Sequence, residues 1–348
     1  MNRALLDFKR EIRGANGKVM AFDISGYGST LMPLFERMGR GQKVYEDEIR
    51  EVMGHRGDAL GPTKAGDISL VPIANSNKAT AVIPLRGVAT YAIEAYGYCF
   101  STLKLSQTLG QLANDPSVAS IVLDIDTPGG AVTGTPEAAD AVWVARQKKP
   151  VVGIINPLCA SAGYWIGSQA TKLISVPSGD IGSIGVFTCH YDCSAMMADA
   201  GIKPTFIYAG EFKTEGNALE PLSKTGRDFY QSEINQTYGR FLDAVGRGRS
   251  VSAATVKAKF GGGRTLSAPD ALRVGMIDAV MPLQQAFTAA STGGAGVARQ
   301  TARIATTAET DREREARRLR LKLERAAMTP DEREAEALRI KLRLAELS

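Results

Sequence analysis

Between residues 79 and 176 the chain repeats one pattern: a short apolar run, a turn, then a stretch with helical spacing. Thr80 to Leu85 is apolar and partly β-branched and ends in Arg86-Gly87, which predicts a strand and a turn. Thr102 to Ala113 carries Leu103, Leu105, Leu109 and Leu112, an approximate helical stripe. Val118 to Ile125 predicts a strand. Its Ser120-Ile121-Val122-Leu123-Asp124-Ile125 is mostly apolar at successive positions, as in a sheet covered on both faces. Thr135-Pro136-Glu137 reads as a helix start, with Thr135 as cap and proline in the first turn. Val151 to Ile155, Leu173 to Val176 and Thr205 to Tyr208 predict three further strands. Strands alternating with helices imply parallel crossovers, and hence an α/β domain.

The pattern fades at both ends. Residues 1–78 form a weakly patterned leader in which Arg37 to Val52 has a helical rhythm, and Asn75-Ser76-Asn77 reads as a polar link into the domain. Beyond Pro282 the chain turns rich in Ala, Thr and Gly, so 284–308 is expected to be a flexible linker after a domain spanning 79–283. Residues 309–348 are densely charged. Thr310-Asp311-Arg312-Glu313 and Thr329-Pro330-Asp331-Glu332 are capping-box patterns, and Leu319/Leu323 and Leu338/Leu342 are apolar i, i+4 pairs. This tail is expected to be a helical hairpin or coiled-coil segment that tethers the domain to assembly partners. A solvated charged helix is the plainer alternative.

Composition narrows the function. The chain has 348 residues, 44% of them hydrophobic, enough for a sizeable core. Its net charge of +5 comes from 42 basic and 37 acidic groups, too even a balance for a dedicated nucleic-acid or polybasic membrane binder. Cys99, Cys159, Cys189 and Cys193 lack zinc-site spacing and do not form a disulfide framework, so a reducing compartment is expected. The first residues are charged too early for a signal-peptide core. The uncharged stretch Pro150 to Thr171 holds Asn156, Pro157, Ser161, Ser168 and Gln169, which suits a buried strand and helix better than a membrane span. A soluble cytoplasmic protein is the expectation, with no metal, cofactor, nucleic acid or membrane partner.

Three motifs carry chemistry. In Leu123-Asp124-Ile125-Asp126-Thr127-Pro128-Gly129-Gly130 a buried strand ends in glycines, which free backbone N–H groups to face a developing oxyanion. The same letters also spell an ordinary turn. In Asn156-Pro157-Leu158-Cys159-Ala160-Ser161-Ala162-Gly163-Tyr164-Trp165 a strand runs through small residues into a helix. Ser161 would stand at the helix N-terminus, as a nucleophile or merely as an N-cap. In Gly210-Glu211-Phe212-Lys213-Thr214-Glu215-Gly216-Asn217 a lysine sits in a glycine-flanked loop. For a lysine to serve as a base near neutral pH, burial and neighbouring donors must strip its proton, at a cost of roughly 4 kcal/mol. A surface lysine is the plain reading.

Together with Gly182-Ser183-Ile184-Gly185-Val186, these motifs occur in an order and spacing that resembles the signal peptide peptidase A family of Ser–Lys peptidases. Leu-Asp-Ile-Asp-Thr-Pro-Gly-Gly, Cys-Ala-Ser-Ala-Gly and Lys-Thr-Glu-Gly-Asn are most similar to its bacteriophage branch, the prohead or capsid maturation proteases. The likeness covers about 79–283. It implies a ClpP/crotonase-like fold of repeated ββα units, Ser161 as nucleophile and Lys213 as base. It also implies Gly129 and Gly130 at the oxyanion hole and Ser183 orienting the lysine. The partners it implies are peptide substrates, a homo-oligomer whose subunits can share a site, and phage scaffold, portal and capsid proteins. Bacterial members carry an N-terminal membrane anchor, and the lack of one here points toward the phage type. Three rivals stay open: a Ser-His-Asp site using His190, with Asp192 a poor partner; Cys159 as nucleophile; and a crotonase-type acyl-CoA enzyme or non-catalytic assembly protein.

Overall fold

The computed structural model describes residues 20–22, 68–92 and 99–294. The strands are β1 (Met20–Phe22), β2 (Ser69–Pro72), β3 (Ala79–Arg86), β4 (Val88–Thr90), β5 (Cys99–Ser101), β6 (Val118–Thr127), β7 (Gly129–Ala131), β8 (Val151–Ala160), β9 (Lys172–Ser175), β10 (Asp180–Gly182), β11 (Thr265–Ser267) and β12 (Ala279–Val280). The helices are α1 (Thr102–Asn114), α2 (Thr135–Lys148), α3 (Ala162–Gly167), α4 (Ser194–Asp199), α5 (Lys224–Arg249), α6 (Ala253–Lys259), α7 (Ala268–Val274) and α8 (Leu283–Ser291).

The main sheet runs β11-β10-β8-β6-β3-β2, with β9 and β12 added beside β8. Its centre is parallel: β3 with β6, β6 with β8, and β8 with both β9 and β10. A smaller sheet runs β1-β7-β4-β5. The chain turns from one sheet into the other twice. Gly87, at φ 74°, lies between β3 and β4, and Pro128 between β6 and β7. A helix then leads to the next main-sheet strand. The result is the α/β arrangement of repeated ββα units expected from the sequence.

Alternating faces of the central strands explain the continuous apolar runs. Val122, Val152, Ile154 and Ile174 pack under Ala286 and Ala290 of α8, while Ile121, Leu123, Ile125 and Ile155 are fully buried as well. Each such side chain contributes about 1.5–3 kcal/mol relative to exposure. Burial by α8 corrects the expected linker, because 283–291 is a helix of the domain. Its alanines are small enough to lie flat on the sheet, a use that composition alone does not distinguish from a linker. Near the N-terminal boundary, β2 pairs antiparallel with β3, and Asn75 adopts a left-handed φ of 59° in the turn joining them. Asn75-Ser76-Asn77 is therefore a hairpin turn inside the sheet.

Two local expectations also change. The N-cap of α2 is Gly134, at φ 83°, not Thr135, whose hydroxyl instead donates to the Ala131 carbonyl at 2.7 Å. Thr205 to Tyr208 forms no strand, and Ile207 is 98% exposed. A β-prone run needs a partner edge, and none reaches it among the described residues. Arg37–Val52 and the tail at 309–348 lie outside the described residues.

One ion pair locks the C-terminal part of the domain. Arg249, at the end of α5, donates two 3.0 Å hydrogen bonds to Asp278, which also accepts from the Leu173 N–H at 2.7 Å. Burial opposes the Asp278 charge, but the Arg249 hydrogen bond and charge outweigh it and hold the carboxyl below the usual range. Asp278→Ala leaves the Arg249 guanidinium buried and uncompensated, so it is expected to cost about 3–5 kcal/mol in urea unfolding. The pair's contribution is complete above the unfolded carboxylate pKa of about 3.9 and is lost as pH falls through the depressed folded value.

Candidate active site

β8 ends where the sequence places its small-residue elbow. Ala160 stands opposite Gly182 of β10, the Ser161 N–H donates to the Gly182 carbonyl at 2.7 Å, and α3 begins at the next residue. Ser161 has φ 53° and ψ −119°, a strained combination for a residue with a side chain. It is fully buried, and among the described residues its hydroxyl caps nothing and has no hydrogen-bond partner. The N-cap reading is thereby removed. An unpaired buried hydroxyl on a strained turn costs stability and is a feature of functional sites.

The turn is held from behind. Trp165 of α3 stacks on Phe241 of α5 at 4.4 Å between ring centroids, and the Tyr164 hydroxyl donates to the Met276 carbonyl at 2.9 Å. In front, Gly163 lies against Thr127, where any β-carbon would come within 2.3 Å of the Thr127 methyl. Thr127 pairs in register with Cys159, so the end of β6 and the Ser161 turn are neighbours.

Ser183 follows Gly182 and so lies next to Ser161 across the strand ends. It too has a left-handed φ, 52°, and its N–H donates to the Arg264 carbonyl at 2.9 Å. Gly129 and Gly130 form the start of β7. The Gly129 N–H donates to Thr127 Oγ1 at 3.1 Å, and that hydroxyl donates to the Gly87 carbonyl at 2.5 Å. At Gly130 a β-carbon would fall 2.1 Å from the Ala89 carbonyl oxygen, so only glycine fits. The sequence thus brings Ser161, Ser183, Gly129 and Gly130 to one end of the parallel strands, the usual position for sites in open α/β sheets.

Lys213 is not brought to them. It lies exposed in a turn, its N–H bonded to the Gly210 carbonyl at 3.0 Å, and it makes no hydrogen bond to Ser161 within the chain. The surrounding segment, between β10 and α5, exposes Tyr191, Met196, Ile202, Ile207, Tyr208 and Phe212, and α4 within it buries no residue. The rivals fare differently. The His190 ring is engaged with the Asn217 carbonyl at 2.8 Å, and Asp192 turns to Ser194. Both are structural contacts of the segment itself. Cys159 is fully buried, and burial pushes its thiol above its ordinary pKa, which disfavours a nucleophilic thiolate there.

Residue-by-residue reading missed three supports. One is Thr127, which sat unassigned inside the Asp-Thr-Pro-Gly-Gly motif. Another is Arg86, in register with Asp126 and bonded to Asp124 and the Asn156 carbonyl. Burial pushes the Asp124 carboxyl up and Arg86 draws it back. Two aspartates spaced by two on a buried strand needed a cation, and that was the available signal. The third is β1, which pairs antiparallel with β7 at Gly129–Ala131.

Fold and site together define an α/β domain with a buried serine at a strand-to-helix turn, at the end of its parallel strands. Residues 144–298 match the family model of peptidase family S49. The match includes Ser161, Ser183 and Lys213 but starts after Gly129 and Gly130. The chain is 30% identical over 219 residues to capsid assembly protease C of Escherichia phage lambda, covering 62% of this chain and 48% of that protein. It is 35% identical over 149 residues to the head-tail preconnector protein GP5 of Enterobacteria phage P21, covering 42% and 30%. It is 30% identical over 194 residues to Protease 4 of Haemophilus influenzae, covering 53% and 30%. The chain thus spans half or less of the length of these relatives.

Proposed function

We propose that this chain is a serine endopeptidase in which Ser161 and Lys213 form the catalytic dyad, and that it cleaves scaffold and other head proteins during phage capsid assembly. The observation that carries the reading is Ser161, a buried, unpartnered hydroxyl on a strained turn inside the matched family domain. Lys213 Nζ takes the Ser161 proton, and Oγ bonds to the substrate carbonyl carbon. The oxyanion is held by the N–H groups of Gly129 and Gly130, Gly129 first turning from Thr127 Oγ1. The C–N bond breaks, the amine leaves with the proton from the lysine, and Lys213 then deprotonates water to hydrolyse the acyl-enzyme. Ser183, beside Ser161, orients the lysine.

In the single chain Lys213 is exposed on an apolar segment, which supports a homo-oligomer in which a neighbouring copy covers that segment and supplies its lysine. The head-protein substrates rest on the two phage relatives. Similarity to Protease 4 favours a second reading, a bacterial or prophage-encoded peptidase of the same chemistry. None of the described helices is long and apolar enough to cross a membrane.

A fluorophosphonate ester tests the serine directly. Intact mass and peptide mapping of the full chain are expected to show one adduct, on Ser161. No adduct, or one on Cys159 or another serine, would make the chain a different enzyme or a non-catalytic assembly protein.

A further inference from the structure

β7 has two edges. β4 takes one in parallel, with Ala89 opposite Gly130. β1 takes the other in antiparallel, with Met20 opposite Ala131, Ala21 opposite Gly130 and Phe22 opposite Gly129. β1 is the outermost strand of its sheet and comes from the leader, separated from β2 by residues 23–68. Remove β1, and β7 presents a row of unpaired main-chain groups on that side. With glycine at 129 and 130, little but backbone faces an incoming strand. This edge is beside the nucleophile: Thr127 binds the Gly129 N–H and also packs on Gly163, two residues beyond Ser161.

A peptidase acting on protein chains has to hold several substrate residues extended next to its nucleophile. An open strand edge does so through main-chain hydrogen bonds, with little demand on sequence. We propose that the leader segment containing Met20–Phe22 is an internal occupant of the outer edge of β7, competing there with the extended substrate chain for the same main-chain hydrogen bonds. This deepens, and rests on, the reading of Ser161 as a peptidase nucleophile. The ligand is an extended peptide bound antiparallel to Gly129–Ala131. A tethered occupant weakens apparent affinity by the fraction of time the edge is open, so an occupancy of about 90% weakens it about tenfold.

Successive residues of a strand direct their N–H groups to opposite sides, so one of Met20 and Ala21 donates toward β7. Proline at both removes that donor whichever it is. The probe is a fluorescein-labelled synthetic peptide of residues 16–26, followed by anisotropy on the full chain carrying Ser161→Ala, with and without Met20→Pro plus Ala21→Pro. The peptide is expected to bind about tenfold more tightly to the proline-bearing chain, and amide exchange at 129–131 to accelerate. With Ser161 intact, the same prolines are expected to lower KM for a peptide substrate and leave kcat unchanged. Equal affinity for both chains, or no binding to the proline-bearing chain, overturns the inference. If no chain hydrolyses peptide yet the affinities differ, the edge stands and the peptidase reading falls. If hydrolysis depends on Ser161 but neither KM nor affinity moves, the reading stands and the inference falls.

Discussion

Ser161→Ala is expected to reduce peptide hydrolysis by about 10⁴-fold or more, the scale of losing a catalytic nucleophile, while making the protein no less stable. The two halves of this result separate the functional serine from a structural one. A capping serine replaced by alanine costs about 1 kcal/mol, because a helix N–H loses its acceptor. Among the described residues Ser161 accepts from no such donor, and its buried hydroxyl is unpaired. Its removal relieves an unmet desolvation of about 1–3 kcal/mol, while the strained φ of 53° stays as it was. Unfolding by urea should therefore shift to equal or higher concentration. Loss of activity together with lost stability would mean that Ser161 holds the turn rather than attacks substrate. Retained hydrolysis would remove it from the reaction altogether.

Much of the scaffold of this site was legible in the sequence because local pattern and tertiary environment agree there. Val118 to Ile125 is apolar at successive positions, and β6 is indeed covered on both faces. The elbow at Ser161 could be placed because small residues between a strand and a helix leave few other conformations. The misreadings share a cause: each depended on what lies opposite. Ala286 and Ala290 look like linker residues until a flat sheet is set beneath them. Thr205 to Tyr208 looks like a strand until no edge is found for it. Met20 to Phe22 gave no signal at all, since a three-residue strand is specified by the free edge of β7 rather than by its own side chains. The two aspartates called for a cation, but Arg86 could not be picked out as that cation without the register that sets it opposite Asp126.

Lys213 is the residue on which sequence and single chain diverge most, and its substitution gives the other large effect. Lys213→Ala is expected to lower hydrolysis as severely as Ser161→Ala, since a dyad fails with either member. His190→Ala should leave it nearly unchanged, because that ring serves the Asn217 carbonyl. The informative experiment mixes the two inactive chains after dissociating and reassociating them together. In the folded chain the lysine stands exposed among Ile207, Tyr208 and Phe212, and Ser161 is buried without a base. If a neighbour's segment supplies the lysine in a head-to-tail ring, each site combines the serine of one copy with the lysine of the next. Random mixing of equal amounts then completes about one site in four, so activity should return to about a quarter of the unaltered protein. If both groups come from one copy, no mixed site is complete and activity stays at the level of the single variants. Recovery should also require protein concentrations at which the oligomer forms, and polar replacements at Ile207 and Phe212 should abolish it without affecting the unfolding of the monomer. Their side chains are already in water there, and only the contact between copies removes them from it.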